Sequence, residues 1–305
     1  MNETHKTFQQ DQIDVKNIAL ALLEKKFLII SITSFFAILS IVIALMIPNV
    51  YSSNSFLLPT ASNDSLSSKL GQFSSLASLG GIDLPAGTAS KSDEAIARIQ
   101  SFDFFAKYFL PNVKLENILG VKKWDASSNQ IIYKNNLYDA KKNEWVRKKS
   151  PTIPSQQEAY RKYKKLLSIS VNKENGFVSL SMKHNSPVVA KRWVDIIIYN
   201  INESIRLEVI SLSQAYIDFL NQSQKSLNLK SLKETATNLL FDQMQTLMLA
   251  SANKDYVYKV IDAPIAPEKK SGPNRPIICV LVTLLGLILS LSIVFIQNFR
   301  KTLKE

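Results

Sequence analysis

The sequence predicts an α+β fold: two transmembrane helices flanking an extracytoplasmic α/β base from which a long helix projects. Three observations carry this. Residues 27–47 and 277–296 are runs of 21 and 20 residues without a charge, each about 30 Å long as a helix, the thickness of a bilayer's hydrocarbon core. Between them, short alternating segments bounded by turn residues read as strands. From Pro187 to about residue 250 apolar residues recur at helical spacing, with no further proline before Pro264 and no glycine before Gly272.

The first span follows Lys25 and Lys26, and the second precedes Arg300, Lys301 and Lys304. Short basic flanks stay in the cytoplasm, so both termini are expected there. The run at 27–47 exceeds a signal peptide's apolar core, and no small-x-small cleavage pattern follows Pro48. This gives a cytoplasmic N-terminus at 1–26, spans at 27–47 and 277–296, an external region at 48–276 and a tail at 297–305. Lys269, Lys270 and Arg275 precede the second span, but they belong to a long segment, and long segments cross regardless of charge.

Each span carries a seam of small residues with 4-3-4 spacing: Thr33, Ala37, Ser40 and Ala44 in the first, Cys279, Thr283, Gly286 and Ser290 in the second. That spacing sets each row on one helical face, where small side chains let backbones approach closely in lipid. A packed helix pair, within or between protomers, is the expectation.

In order along the chain, Ile13, Ile18 and Leu22 share a face of a short interfacial helix. Residues 50–58 form a strand ended by Pro59, and 60–92 are a loop broken by Gly80-Gly81 and Pro85. Ser92 caps a helix running through Phe102, with Asp93 and Glu94 in its first turn, where the helix dipole favours carboxylates. Residues 112–165 are basic and aromatic without clear period, and read as a surface insertion. A helix from Gln156 leads into a β-hairpin turning at Asn175-Gly176. Ser186-Pro187 is a helix start, with serine as cap and proline at the first helical position. On the long helix Trp193, Ile197, Ile201, Ile205, Leu212, Tyr216 and Phe219 hold one face; Leu232, Ala236, Leu239, Leu240, Met244 and Leu247 continue it past a break near Asn228. A strand returns at 256–261, and prolines 264, 267, 273 and 276 stiffen the connector into the second span.

The formal charge is +12. Residues 1–26 balance four acids against four bases and the tail carries +2, which leaves +10 outside. Such a surface suits anionic glycan, diphosphate-linked lipid or phospholipid headgroups. The single cysteine lies in a span, so no disulfide supports the external region. Of the two histidines, His5 is N-terminal and His184 joins strand to helix, an arrangement offering neither a metal set nor a catalytic triad. No phosphate-binding loop, G-x-S-x-G or H-E-x-x-H occurs. Ser251 and Lys254 match S-x-x-K without that motif's partners. No catalytic, cofactor or metal residue is therefore expected, and nucleic acid is an improbable partner for an external surface.

Several stretches together resemble the chain-length determinant (Wzz-type) family, the polysaccharide co-polymerases of Gram-negative inner membranes. They are D-x-I-D at Asp11 to Asp14, the strand tyrosine Tyr51, the Ala-Ile-Ala-Arg helix followed by Ser101, and Ser-Pro-x-x-Ala from Ser186 and Pro187. The most specific is D-Y-x-Y-K-V-I-D-A-P-x-A-P at 255–267, with Asp262, Pro264 and Pro267, running on to Pro273 and Pro276. The resemblance implies a non-enzymatic, homo-oligomeric inner-membrane protein with its bulk in the periplasm. It would set the chain length of O-antigen or a related lipid-linked glycan together with a membrane polymerase. A capsule or exopolysaccharide export role beside a separate tyrosine kinase is the alternative it leaves open. No cofactor is implied.

Overall fold

The computed structural model describes residues 25–60, 90–224 and 230–302. The expected interfacial helix, with Asp11 and Asp14, and nearly all of the 60–92 loop lie outside the described residues. In chain order come α1 (Lys26–Met46), β1 (Tyr51–Pro59), α2 (Lys91–Gln100), α3 (Leu115–Leu119), β2 (Val121–Asp125), β3 (Gln130–Tyr133), β4 (Tyr138–Asp139) and β5 (Glu144–Trp145). They are followed by α4 (Gln156–Leu166), β6 (Leu167–Val171), β7 (Val178–His184), α5 (Pro187–Gln224), α6 (Lys230–Ala252), β8 (Tyr258–Asp262) and α7 (Arg275–Thr302). The chain divides into two units, 1–48 with 272–305, and 49–271.

In the first unit α1 and α7 pack along one another, and both are long and apolar enough to cross a membrane. Their outward faces are exposed leucine, isoleucine, valine and phenylalanine. Helix α7 begins at Arg275, so Pro276 sits within its first turn rather than in the connector; proline is tolerated there because that amide has no helical partner.

The second unit is built on a four-stranded antiparallel sheet in the order β6-β7-β1-β8. Strand alternation is strict where it matters. Ser53, Ser55 and Leu57 of β1 and Val178, Leu180, Met182 and His184 of β7 point inward and are buried. Helix α5 crosses β1 and β7, bringing Trp193, Ile197 and Ile201 into the core, with Phe105, Phe109 and Tyr163 packed around them. The β6–β7 turn is closed by Asn172, whose amide meets the Phe177 carbonyl, and Gly176 takes a positive φ of 70° there.

Three expectations change. The cap of α2 is Ser90, not Ser92: Ser90 Oγ accepts from the Asp93 amide while the Asp93 carboxylate accepts from the Ser90 amide, a reciprocal capping box. Ser92 instead lies inside the helix, and its carbonyl accepts from the Tyr258 hydroxyl at 2.9 Å. Helix α2 also stops at Gln100; Ser101 caps a new turn, Phe102–Phe104, that runs into a π-type turn, Phe105–Phe109.

The second change is larger. The long helix expected over about 187–250 does divide around the expected break near Asn228, into helices of 38 and 23 residues, but the two pack as a hairpin instead of projecting as one rod. Helix α6 runs back along α5, because the segment after it returns to Asn202, whose side chain accepts from the amides of Val257 and Tyr258 at 2.8 Å each. A straight helix would have ended about 90 Å from its start, out of reach of β8's place in the sheet.

The third concerns residues 112–165. They hold two small antiparallel ribbons, β2–β3 and β4–β5, and α4, whose Tyr163 is buried in the core. Arg147 is not a surface cation. It is buried, its guanidinium holds both Glu158 oxygens at 2.8 Å, and it donates to the carbonyls of Pro151, Thr152 and Ile153.

Candidate functional site

Two helices set the first arrangement. Ser40, Ala44, Gly286 and Ser290 are buried between α1 and α7, and Thr33, Ala37, Cys279 and Thr283 are half-buried along the same rows. The hydroxyls do not bridge the helices: Thr33, Ser40, Thr283 and Ser290 each donate to a carbonyl of their own helix, three or four residues back. What the small residues supply is closeness. A Cβ added at Gly286 would lie 2.4 Å from Phe36 Cβ, so only glycine fits that crossing. At one end Lys25 reaches Gln297, and at the other Arg275 Nε donates to the Ala44 carbonyl at 3.1 Å. The two helices are therefore antiparallel.

The remaining motif residues within the described chain gather along β1. Past β8 the chain runs beside β1, held by two buried hydroxyls: Ser55 Oγ donates to the Asp262 carbonyl at 2.6 Å and Ser53 Oγ to that of Ile265 at 2.7 Å. Serine at these inward positions is small enough to admit the strap and polar enough to hold its carbonyls. Pro264 is buried there, Pro267 and Pro273 half-buried, Asp262 exposed. Farther on, Ser271 N donates to the Val50 carbonyl at 2.9 Å. Thus Asp262, Pro264 and Pro267 follow one another alongside β1, whose first residue is Tyr51.

Ser186 and Pro187 join the same end of the sheet through β7. Tyr51 pairs with His184, and Asn185 Nδ2 donates to the Asn49 carbonyl. The Ser186 amide donates to His184 Nδ1 at 2.9 Å, so Nε2 carries the proton and faces the Asn117 carbonyl at 3.0 Å. Burial pushes the His184 pKa down to about 4, with Lys162 nearby adding to the effect. His184 is a neutral brace, set edge-on against Trp193. Sequence had marked it only as a strand–helix junction.

A third feature was legible as a pattern but not as an exposure. The apolar face of α5 is one stripe with two fates. Trp193, Ile197, Ile201 and Ile205 are buried under the base, whereas Leu212, Tyr216 and Phe219, continuing the same face, are 50–65% exposed. On α6, Ala236 is buried, but Phe241, Met244 and Met248 are exposed and share a face. A bare apolar stripe of this extent marks a contact surface.

Reactive groupings are sparse. Among the described residues no three histidine, cysteine or carboxylate side chains lie together as metal ligands. Ser251 and Lys254 are both exposed.

Residues 11–109 match the family described as chain length determinant protein, and residues 221–299 match the one described as a G-rich domain on putative tyrosine kinase. Among solved structures, a full-length bacterial polysaccharide co-polymerase aligns over 96% of this chain and 99% of its own, at 14% identity and a TM-score of 0.41. A fragment of WzzB, a polysaccharide co-polymerase from Salmonella Typhimurium, aligns over 73% of this chain and 100% of its own, at 14% identity and a TM-score of 0.29. No curated protein sequence matches.

Proposed function

We propose that the chain is a member of the chain length determinant family, whose model matches residues 11–109, and that it regulates how many repeat units a membrane polymerase adds to a lipid-linked glycan, O-antigen or a relative of it. It does so without catalysis, as a homo-oligomeric scaffold of the bacterial inner membrane with both termini cytoplasmic and residues 48–276 in the periplasm. The observation that carries this reading is the family match over 11–109, the stretch that contains the first span and β1. The bare stripe on the α5–α6 hairpin supports the oligomer: a second copy would remove Leu212, Tyr216 and Phe219 from water. The seam of α1 and α7 is the packing surface of the spans. Asp11 and Asp14 belong to the family motif on the cytoplasmic side.

One observation favours a second reading. The match over 221–299, to a domain found on putative tyrosine kinases, supports a capsule or exopolysaccharide export role beside a separate kinase. Surface glycan from cells with and without the gene, run on a gel, separates the two. Loss of a modal cluster in favour of a decaying ladder is expected for length control. Surface polymer that vanishes with its ladder otherwise unaltered would favour export, and an unchanged glycan profile would remove both.

A further inference from the structure

The basic and aromatic residues of 121–149 take no part in the function proposed above. We propose that the β2–β3 and β4–β5 ribbons are a membrane-interface docking surface that seats Trp124 and Trp145 among the headgroups of an anionic phospholipid bilayer. The proposal rests on the reading that residues 27–47 and 277–296 span that bilayer.

Position is the first argument. Both ends of the 49–271 unit leave it at one place, since Ser271 N and Oγ donate to the Val50 carbonyl at 2.9 and 3.0 Å. The next residue, Tyr51, meets Trp124 edge to face at 5.5 Å. The β2–β3 ribbon is thus pinned beside the point from which both connections toward the apolar helices start.

Charge is the second. Residues 121–149 hold eight basic and three acidic residues. Two of the acids are committed to turns: Asp125 accepts from the Ser127 amide and the hydroxyls of Ser127 and Ser128, and Asp139 from the amides of Lys141 and Lys142. Of the bases, Arg147 and Lys149 pair with Glu158. Lys122, Lys123, Lys134, Lys141, Lys142 and Lys148 are exposed and form no ion pair among the described residues. An array of like charges held together is repulsive, and a sheet of anionic headgroups relieves that repulsion.

The rings are the third. Two of the chain's three tryptophans are here, half-buried at the ribbon surface: Trp124 meets Tyr51, and Trp145 meets Tyr138, which in turn meets Tyr133, each edge to face. Ile132 and Val146 beside them are exposed. Amphipathic rings interleaved with lysine are what the headgroup layer selects, since a ring has an apolar body and a wet edge. A soluble anionic polymer would also meet the lysines and rings, but it does not call for them to lie beside the place where both ends of the unit leave it.

The test uses the full chain reconstituted in vesicles of phosphatidylethanolamine and phosphatidylglycerol, with a lipid carrying a doxyl quencher near the headgroup. Tryptophan emission should fall at least twofold. The Trp124→Phe/Trp145→Phe chain, left with the core Trp193 at 2% exposure, should be nearly insensitive. Lys122→Glu with Lys123→Glu, or phosphatidylcholine in place of both lipids, should reduce the quenching while the protein stays in the membrane. Emission that ignores the doxyl lipid yet is quenched by aqueous acrylamide would overturn the proposal and leave the spans standing. So would emission that responds only to a soluble polyanion such as dextran sulfate. Release of the protein by alkaline carbonate would overturn the spanning reading and this proposal with it.

Discussion

At the scale of single residues, His184 and Arg147 are the two buried groups whose loss or protonation the fold would feel most. His184 is buried neutral, with its pKa down to about 4 from an ordinary 6.5. The fold prefers the neutral ring, so this contribution is complete above pH 6.5 and is lost as pH falls from 6.5 toward 4. By pH 5 the loss is about 2 kcal/mol, before most carboxylates titrate. Chemical unfolding of the full chain in detergent between pH 7 and 5 should show that slope, and His184→Asn should flatten it. Hydrogen bonding from Arg147 holds the Glu158 carboxyl below its ordinary range. Arg147→Ala should cost about 3 kcal/mol, because it leaves a partly desolvated carboxylate and three loop carbonyls without their donor. Thermal unfolding should find the double variant with Glu158→Gln less affected than the sum of the two singles. Neither role was legible in sequence. Arg147 stands beside Lys148 and Lys149 in an unremarkable basic run, and what separates it is a carboxylate eleven residues on and a loop that folds its carbonyls back. Ser53 and Ser55 were hidden for a similar reason: a strand pattern reports which side a residue faces, not that a distant strap will cross it.

Among the elements, legibility follows locality. The strands, the Asn175-Gly176 turn and the Ser186-Pro187 helix start were readable because each is decided by neighbours within a few residues. The small residues of α1 and of α7 each share one face, since 4-3-4 spacing selects a face whatever lies opposite. The break near Asn228 was readable, but not that helix α6 folds back along helix α5, because two helices folded together keep the same period as one. Only the place of β8 beside β1 decides between them, and that contact lies some 200 residues away in sequence. Two outcomes follow for these elements. Gly286→Ala should force α1 and α7 apart at Phe36 and lower the full chain's thermal midpoint by an overpacking cost of about 1–3 kcal/mol; adding Phe36→Ala should restore most of it. Replacing Leu212, Tyr216 and Phe219 with serine should leave the monomer's circular dichroism unchanged, because these side chains are exposed. Under our functional reading the same triple variant sediments as a smaller species and produces a glycan ladder without its modal cluster.

For the whole molecule, our functional reading sets both termini in the cytoplasm and the 49–271 unit outside. Reporter domains fused at either terminus should be active only as cytoplasmic reporters, and one inserted at the exposed Lys141-Lys142 turn only as a periplasmic one. The β1 strand also sets the order in which the molecule can be completed. It is made first and paired last: Ser53 waits for Ile265, and Ser55 for Asp262, each more than 200 residues downstream. At synthesis rates of about 5–20 residues per second, that interval is on the order of 10–40 s. Throughout it one edge of a central strand lies open. The sheet closes only when the ribosome has nearly reached α7, so under our functional reading maturation of the 49–271 unit and insertion of that helix are successive steps of one event.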